Sequence, residues 1–552
     1  MMRRMLRTWM ILGLLLVSPA DDREELFERG FDTITKAELL ADLHALAGPL
    51  AEGRDSPSLG LDHAADHVSE RLAAAGFTGL GHDGSFLLPF ERELPAPDVA
   101  NCALLVERTD GVRYEDFRFG VDYVPVWQTE GRARGEVVLL GFGIDSDSER
   151  FDEITGELSG KIALIVSGEP RHKRKFDGPE VSADAELYGK LENLREAGLS
   201  GVLVVRRPPL EEQVLPSTLT NFTPRGSDPP PEPEPEIDPE NPPHELGFRH
   251  TWASWVGGGA PINPSSGHIP TLELTPRAAN RLLGLSGPKR LDVIERLEEV
   301  DKKAKPLKPE FTGITVELAA ASTTRKVPIH NVVGVLKGSD ESLADEYVVL
   351  GAHYDHVGVD SRGRIGFGAD DNASGTSAVL ELAEAFAAAK PRRSILACLF
   401  AAEEDGLLGS EAFVANSPVP ASQMVAMLNM DMIGHGSAKE VAVVGVPENP
   451  ELGKLLKRAD KLRRTKISKI TTGQGQSVFK RSDHYSFHKR GVPVLFFFEG
   501  LPVGANPHYH TWRDTIDTVD VDKIARTTRL VFNTAWLLSE DDERPPAPEH
   551  TR

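Results

Sequence analysis

The chain has 552 residues, more than a single domain usually holds, and a formal net charge of −22 at neutral pH. This acidic surplus argues against nucleic acid or an anionic membrane surface as a partner. With only two cysteines, the chain cannot depend on a disulfide framework for its stability.

The first 20 residues have the pattern of a secretory signal peptide. Arg3, Arg4 and Arg7 precede the apolar run 9–17, and small residues follow it. The run is too short for a comfortable membrane span, although a signal anchor that is never cut is the alternative. We therefore expect an exported protein, periplasmic or extracellular. Removal of residues 1–20 would change the charge to −25, because the segment holds three Arg and no acid.

Residues 30–118 are predicted to form the first part of the main domain. Helical and turn signals alternate over 36–90, and apolar residues recur at helical spacing from Leu61 to Ala75. Two strands are then predicted, over 99–107 and 114–118.

Residues 120–285 are predicted to form a separate β-rich domain inserted into the main one. Short apolar runs with β-forming residues occur at 135–141, 160–166 and 201–205, and a helix precedes the last of them. Residues 224–243 are rich in Pro and Glu, a composition that favours extended, solvated chain. We expect a long exposed loop there.

Strands and helices alternate through the rest of the main domain, 305–540, and residues 541–552 are predicted to be a disordered tail. The predicted strands are 313–320, 329–336, 346–352, 393–401, 424–431, 441–445 and 493–498, and the predicted helices are 374–389, 450–462 and 521–538. This alternation indicates a largely parallel sheet with helices on both faces. In such sheets, ligands bind at the carboxyl ends of the strands.

Clusters of carboxylate and imidazole groups recur in this domain, most of them where an apolar run ends. They contain His353 with Asp355, Asp370 with Asp371, Glu403 with Glu404, Asp431, and His510 with Asp514. One such cluster alone has an ordinary explanation, for example an acidic helix N-cap at Asp370 and Asp371. Five in order indicate a metal site assembled at strand ends.

The residue types also indicate separate tasks within this site. Asp355 can accept a hydrogen bond from the second nitrogen of His353, an arrangement that fixes a metal-bound histidine. Adjacent residues at a strand end point to opposite faces, so one of Glu403 and Glu404 can bind metal while the other transfers protons. Asp431 lies in an apolar run, where a buried acid is costly without a partner.

These residues resemble the exported di-zinc aminopeptidase family, which also contains glutamate carboxypeptidase and, more distantly, glutaminyl cyclase and the transferrin receptor. The resemblance covers 330–538 and, more weakly, 36–90, and it includes Ser482–Leu495 and Asn506–Thr515. It implies a three-layer αβα zinc exopeptidase fold with a mostly parallel mixed sheet. Residues 120–285 look like the β-rich α+β protease-associated domain that is often inserted in these enzymes.

The resemblance further implies a complete set of ligands for two zinc ions. His353 and Asp431 would hold one ion, Glu404 and His510 would hold the other, and Asp371 would bridge both. Members of this family keep the peptide bond after the bridging aspartate in the cis form, so we expect a cis bond here as well.

The remaining site residues receive roles from the same resemblance. Glu403 would be the general base and acid, Asp355 would orient His353, and Asp370 would be the neighbour that binds no metal. Tyr509 resembles a tyrosine that, in some members, stabilises the tetrahedral oxyanion.

The activity implied is that of a metallo-aminopeptidase, in which a metal-bridging water and a Glu base hydrolyse the N-terminal residues of peptides. A carboxypeptidase of the glutamate carboxypeptidase type is the main alternative. A glutaminyl-cyclase-like transferase typically uses one metal, and a catalytically silent binding protein would have lost ligands, so the intact set disfavours both. Phe498 could line an apolar substrate pocket, although aromatic strand runs are more often plain core.

Overall fold

The computed structural model describes residues 19–548 with gaps. The residues outside the description are 1–18, 109–110, 115–116, 127–128, 173–174, 177–181, 183, 185, 206–268, 285–292, 360–363, 464, 474–476, 501–505 and 549–552. Nearly all of the predicted signal peptide and the whole Pro/Glu-rich loop therefore lie outside the described residues.

The helices and strands of the described residues follow in chain order. The helices are α1 (Pro19–Thr33), α2 (Lys36–Leu46), α3 (Leu59–Ala74), α4 (Leu187–Glu196), α5 (Pro276–Gly284), α6 (Val293–Lys303), α7 (Gly375–Ala389), α8 (Leu408–Asn416), α9 (Pro450–Leu462), α10 (His484–His488) and α11 (Val521–Glu540). The strands are β1 (Thr78–Gly79), β2 (Leu87–Pro97), β3 (Ala103–Glu107), β4 (Arg113–Tyr114), β5 (Tyr123–Pro125), β6 (Gly131–Leu139), β7 (Asp145–Ser146), β8 (Phe151–Asp152), β9 (Ile162–Val166), β10 (Gly201–Val205), β11 (Thr271–Leu274), β12 (Glu310–Ala320), β13 (Ser322–Leu336), β14 (Tyr347–His353), β15 (Ser394–Phe400), β16 (Met424–Met430), β17 (Glu440–Val444), β18 (Lys469–Thr471) and β19 (Val494–Phe498). Within the described ranges, no helix has the length and apolar character needed to cross a membrane.

The chain divides into two compact units, and each is built from more than one segment. The first unit comprises Met1–Phe90, Ile329–Val357 and Gly366–Arg552, and the second comprises Glu91–Pro328 and Gly358–Ile365. The chain leaves and re-enters the first unit within the long strands β2 and β13.

This division differs from the predicted limits of 30–118, 120–285 and 305–540. Strands β3 and β12, which were assigned to the main domain, pair in the sheet of the second unit, where β12 lies between β3 and β6. An apolar run predicts a strand but does not specify its partner, so a boundary drawn from the sequence falls short of the true sheet.

The sheet of the first unit has the strand order β1-β13-β15-β14-β16-β19-β17-β18, with β2 paired to β13. Its centre, β15-β14-β16-β19, is parallel throughout. Strands β13 and β17 run antiparallel to the neighbouring ends of this centre. The carboxyl ends of four adjacent strands therefore meet on one side of the sheet, where α/β proteins bind ligands.

Two hydrophobic cores cover the two faces of this sheet. Leu350 of β14 belongs to a core that includes residues of α1, α2, α3, α7, α9 and α11, whereas its neighbour Val349 belongs to a core with Phe413 of α8 and Phe487 of α10. Side chains that alternate between two helix-covered faces make a three-layer αβα arrangement. The predicted fold class is thus confirmed for this unit.

Helix α3 shows how the local sequence sets an element in place. The Ser58 hydroxyl accepts the backbone N–H of Leu61 at 3.0 Å and caps the first turn. Val68 and Leu72 are among the buried residues that recur at helical spacing. The chain leaves the helix at Gly76, whose φ of +81° suits glycine.

The second unit contains its own mixed sheet, in the order β4-β3-β12-β6-β9-β10-β11-β5. Strands β6, β9, β10 and β11 are parallel, and β12 is antiparallel to β6. Helices α4, α5 and α6 supply buried leucines such as Leu194, Leu282 and Leu297 to its two cores. The β-rich character predicted for this region matches the described part of the unit.

The predicted disordered tail begins too early. Residues 541–548 are described, and the Arg544 guanidinium donates hydrogen bonds to the carbonyls of Ser422 and Met424 at 2.9 and 3.0 Å. Asp541 pairs with Arg458 at 2.9 Å. The polar, Pro-rich composition of this segment did not reveal these contacts with distant backbone.

Candidate metal centre

Each candidate ligand lies at the carboxyl end of a central strand, in a loop after one, or at the start of the following helix. His353 is the last residue of β14, Glu404 follows β15, Asp431 directly follows β16, and His510 lies in the loop after β19. Asp371 lies in the irregular turn Ala369–Ser374, immediately ahead of α7. The peptide bond after Asp371 is cis, as the resemblance implied.

Asp371 divides its carboxylate between two histidines. Its Oδ1 lies 3.4 Å from Nε2 of His353, and its Oδ2 lies 3.1 Å from Nε2 of His510. Asp431 Oδ1 is 3.3 Å from the same nitrogen of His353, and Glu404 Oε2 is 2.9 Å from the same nitrogen of His510. The side chains thus form two donor groups, each with one imidazole and one carboxylate, joined by Asp371.

The side chains of this cluster are buried, and some of the atoms that face one another have no hydrogen-bond partner. His353 is 1% exposed and Asp371 is 3% exposed. Asp371 Oδ2 and His510 Nε2 have no hydrogen-bond partner among the described residues, although they lie only 3.1 Å apart. A buried polar atom left unpaired costs about 1–3 kcal/mol. The unpaired Asp371 Oδ2 and His510 Nε2, which face each other, fit a bound cation.

The ionisation of the acids reflects the same crowding. Burial raises the pKa of Glu403 well above its usual range, and the nearby Asp431 adds to this effect. Burial also opposes the ionisation of Asp371, but His353 and His510 outweigh burial and hold the pKa of Asp371 well below its usual range. A divalent cation would offset the repulsion among these carboxylates.

Two sets of donor atoms within this cluster are close enough to share a metal ion. The atoms of each set lie within 4.8 Å of one another, and the sets are His353 with Asp371 and Glu404, and His353 with Glu403 and Asp431. Glu403 Oε2 lies 3.9 Å from Nε2 of His353. Glu403 therefore lies close to the imidazole that Asp431 also contacts.

Asp355 connects the end of β14 to the turn after β15. Its backbone carbonyl lies 3.3 Å from Nδ1 of His353, within hydrogen-bond distance, and its Oδ1 lies 3.6 Å from the same nitrogen. The same carboxylate accepts the backbone N–H groups of Glu403 at 3.2 Å and Glu404 at 3.4 Å. Asp355 can therefore orient the imidazole and the two glutamates together.

Asp370 makes its contacts away from the histidines. Its Oδ1 accepts the backbone N–H of Gly434 at 2.6 Å, and its Oδ2 accepts an N–H of the Asn506 amide at 3.0 Å. These bonds occupy both oxygens, which suits a neighbour that binds no metal.

Asp514 holds the turn that carries the bridging carboxylate, a role that the sequence did not reveal. Its fully buried carboxylate accepts the backbone N–H groups of Asp370 at 2.9 Å and Asp371 at 3.0 Å. The only signal in the sequence was its position four residues after His510. Which backbone groups it would meet depends on the tertiary fold.

Tyr509 lies beside the cluster with its ring stacked on His510, at a centroid distance of 3.8 Å. Its hydroxyl accepts a hydrogen bond from the Arg481 guanidinium at 3.3 Å. Burial and the negative charges of Asp371 and Glu404 raise the pKa of Tyr509. The hydroxyl therefore stays protonated and can donate a hydrogen bond.

Phe498 does not line an open pocket. It is 4% exposed, its ring lies 5.6 Å from that of Phe496, and its strand pairs with β17 at Ala442. Phe498 therefore has no exposed surface with which to contact a substrate, and its packing fits the alternative, a residue of the hydrophobic core.

His356, which the sequence analysis left without a role, is part of the cluster. Its Nδ1 lies 2.8 Å from Glu404 Oε1 and 3.9 Å from Asp371 Oδ2. Its Nε2 has no hydrogen-bond partner among the described residues. The residue follows Asp355 directly, but nothing in the sequence indicates that its side chain lies beside Glu404.

Arg54 is another buried residue whose role the sequence did not indicate. Its side chain is fully buried and donates hydrogen bonds to the carbonyls of Tyr354 at 2.7 Å, Phe367 at 2.9 Å and Gly368 at 2.9 Å, and to that of Leu46. Burial lowers the pKa of Arg54 to about 10, so it stays charged at neutral pH. The guanidinium ties together the two loops that carry the first histidine and the bridging aspartate.

Comparison with known proteins gives matches over the same part of the chain. Residues 331–535, which contain all the candidate ligands, match the sequence model of Peptidase family M28. A "Probable leucine aminopeptidase" of Arthroderma benhamiae is 28% identical over 253 residues, which are 45% of this chain and 67% of the relative. Another of that name, from Trichophyton verrucosum, is 32% identical over 211 residues, 37% of this chain and 55% of the relative. The solved structure of a zinc aminopeptidase from Bacillus subtilis aligns with 94% of this chain and 99% of its own, at 18% identity and a TM-score of 0.46.

Proposed function

The chain belongs to Peptidase family M28, and from this premise we propose that it is a zinc-dependent aminopeptidase that hydrolyses the N-terminal residues of peptides. The observation that carries the proposal is Asp371, whose two oxygens face His353 and His510 at 3.4 and 3.1 Å. A carboxylate that offers one oxygen to each of two donor groups suits a pair of metal ions. A set of imidazole and carboxylate donors suits zinc, and cobalt or manganese could also bind.

In this proposal, the two donor groups hold one zinc ion each. His353 and Asp431 would hold the first, Glu404 and His510 would hold the second, and Asp371 would contribute to both. Zinc bound in this way would polarise the peptide carbonyl and lower the pKa of the attacking water. The unpaired buried atoms of Asp371 and His510 support this assignment.

In this proposal, Glu403 is the residue that transfers the proton. It accepts the proton of the attacking water and passes it to the leaving amine. Burial raises the pKa of Glu403, so the carboxyl group can hold a proton between the two transfers. Asp355 supports this role because it binds the backbone N–H of Glu403 at 3.2 Å.

We assign Tyr509 the role of stabilising the oxyanion. Its raised pKa keeps the proton on the hydroxyl, which can then donate to the negative oxygen of the tetrahedral intermediate. The ring stacked on His510 and the Arg481 guanidinium fix the direction of that hydroxyl.

Binding of the free substrate amine is supported by the excess of acid at the site. Buried carboxylates such as Glu403 and Asp431 can hold an ammonium group in addition to metal. Arg481, at 3.3 Å from the Tyr509 hydroxyl, is the observation in favour of the carboxypeptidase alternative, because a guanidinium could bind a substrate carboxylate. That alternative requires an Arg-rich pocket for the substrate carboxylate.

A panel of aminoacyl-nitroanilides, their N-acetylated counterparts and peptides that end in glutamate tests the proposal. We expect the free-amine substrates to be cleaved, cleavage to stop after treatment with chelator, and zinc to restore it. Acetylation should abolish turnover. Release of C-terminal glutamate, or cleavage of the blocked substrates, would favour the carboxypeptidase, and no turnover of any substrate by zinc-loaded protein would favour a silent binding protein.

Export of the protein is a further part of the proposal. Its support is the sequence of residues 1–20, with a basic start, an apolar run and small residues at the end. Mass spectrometry of the protein secreted by a bacterial host should find a mature chain that begins near residue 21. An intact N-terminus on a membrane-bound protein would support the uncleaved anchor instead.

The second unit is proposed to be an accessory domain of the protease-associated type that takes no part in bond cleavage. Of the groups of metal-ligand type found among the described residues, none lies in this unit. The resemblance of 120–285 to such domains and the β-rich sheet of the unit support the assignment.

A further inference from the structure

The imidazole of His356 is locked beside Glu404. It is 1% exposed, its backbone N–H donates to the carbonyl of Arg54 at 3.1 Å, and its Nδ1 lies 2.8 Å from Glu404 Oε1. A Cβ added at Gly368 would lie 2.5 Å from the ring, so the chain passes so close that only glycine fits there. The ring therefore packs tightly against Gly368 and faces the Glu404 carboxylate.

Glu404 lies between two imidazoles that contact different oxygens. His356 faces Oε1 at 2.8 Å, and His510 faces Oε2 at 2.9 Å. His510 also lies 3.1 Å from Asp371, whereas His356 lies 3.9 Å from it. His510 thus has the position of a ligand shared with both carboxylates, while His356 makes its close contact with one of them.

The chemistry of the pair fixes which atom donates. An ionised carboxylate carries no hydrogen, so the hydrogen of the short contact belongs to Nδ1 of His356. An oxygen that accepts this bond has one lone pair occupied, and the opposite oxygen of Glu404 is the one that faces His510.

We propose that His356 is a positioning residue, which donates from Nδ1 to Glu404 Oε1 and thereby directs Oε2 of Glu404 toward the metal ion shared with His510. The inference rests on the proposed zinc function. Removal of a group that forms a hydrogen bond to a metal ligand typically lowers metal affinity by about 10–100-fold.

Three substitutions of His356 separate this role from general packing. The amide nitrogen of His356→Asn lies near the position of Nδ1 and can still donate, whereas that of His356→Gln reaches the position of Nε2, and His356→Ala has no donor. Zinc affinity and stoichiometry are measured on the metal-free proteins by titration against a chromogenic chelator and by elemental analysis. We expect both Ala and Gln to weaken one of the two zinc ions by about 10–100-fold, and Asn to stay close to wild type.

His67 supplies a matched control outside the site, because its Nε2 lies 2.9 Å from Asp42 in a similar imidazole–carboxylate pair. His67→Ala should leave zinc affinity unchanged. The melting temperatures of the metal-free proteins show whether each variant folds, and His356→Gln serves as the donor-displaced variant if His356→Ala does not fold.

The outcomes are distinguishable. Wild-type affinity in His356→Gln and His356→Ala would overturn the inference while leaving the proposed function intact. Complete loss of one ion in Asn, Gln and Ala alike would make His356 a direct ligand, which also overturns the positioning role. A wild-type protein that binds no zinc would defeat the proposed function itself.

Discussion

The two units of the chain both bury carboxylates, but they satisfy them differently. In the second unit, Glu153 is fully buried, and its two oxygens accept backbone N–H groups from Phe142 at 2.8 Å, Ile144 at 3.4 Å and Leu307 at 3.2 Å. In the first unit, Asp371 is 3% exposed, and its Oδ2 has no hydrogen bond to any described residue. Burial is similar for the two groups, whereas the supply of hydrogen bonds is not.

The contrast shows how a buried carboxylate with a structural role differs from one that can bind a ligand. A buried carboxylate that is surrounded by N–H donors is fixed by its own chain and needs nothing further. A carboxylate with an oxygen that accepts no hydrogen bond keeps an acceptor atom available for a cation. This difference, more than burial, is our reason to propose the first unit as the location of the chemistry.

The strongest test of the contrast replaces the bridging carboxylate. Asp371→Ala should abolish both zinc binding and turnover, because each donor group loses its shared ligand. The matched control is Asp42→Asn, another buried carboxylate of the first unit, which is satisfied by His67 at 2.9 Å and Arg71 at 3.1 Å. This control should keep its zinc, measured by elemental analysis, even if its melting temperature falls.

Retention of both zinc ions by Asp371→Ala would contradict the bridging role. Loss of zinc in Asp42→Asn would show that satisfied and unsatisfied carboxylates of this unit cannot be separated in the way we suggest.

The next largest effect is expected at Glu403. Glu403→Gln should keep two zinc ions and lose about 10²–10⁴-fold in turnover, the usual scale for a general base. Because Glu403 lies in one of the two donor sets, elemental analysis is as informative as the rate. Loss of an ion would make Glu403 a ligand, and unchanged turnover would remove it from the mechanism. Glu411→Gln, an exposed surface carboxylate on the following helix, is the control and should change neither quantity.

The strands that carry the site were readable from the sequence because parallel central strands are buried on both faces. They appear as continuous apolar runs, so β14, predicted at 346–352, was found at Tyr347–His353. The clusters that follow these runs pointed to the same end of the sheet, and the fold brings His353 and His510 to opposite sides of Asp371.

The pairing partner of each strand could not be predicted from the sequence. The sequence of 313–320 predicts a strand equally well in either sheet, and only the folded chain pairs it with β6 of the second unit. The same limit applies to His356 and Arg54, whose roles depend on side-chain direction and on carbonyl groups far away in sequence. Such contacts leave no periodicity in the chain.

A smaller effect is expected from pH, through the titration of Glu153 in the second unit. Burial raises the pKa of Glu153 to about 7, although the backbone N–H groups that it accepts oppose this shift. Its folded pKa lies above the ordinary value of 4.5, so the folded state binds the proton more tightly than the unfolded state. The stabilisation is therefore complete below about pH 4.5 and is lost as the pH rises through about 7, with a range on the order of 3 kcal/mol.

Glu153→Gln removes this titration and serves as the comparison. Pulse proteolysis in urea between pH 4.5 and 8, with mass spectrometry of cleavage within Ile162–Val166, reports the stability of this unit. The stability of the wild type should fall relative to that of the variant as the pH rises, and zinc content should not change. Parallel pH profiles for the two proteins would mean that Glu153 titrates at its ordinary value.

The smallest effect is expected from the Pro/Glu-rich segment 224–243, whose composition favours solvated chain and which contains neither histidine nor cysteine. Its deletion should leave the kcat/KM of an aminoacyl-nitroanilide within about twofold of wild type, because shortening a long surface loop changes closure entropy only slightly. The proposed ligands come from the first unit, so zinc content should stay the same. A Gly-Ser replacement of equal length separates the loss of the sequence from the shortening of the chain. Activity that collapses in both proteins while zinc stays bound would mean that this segment reaches the substrate, and the division between a chemical first unit and an accessory second unit would no longer hold.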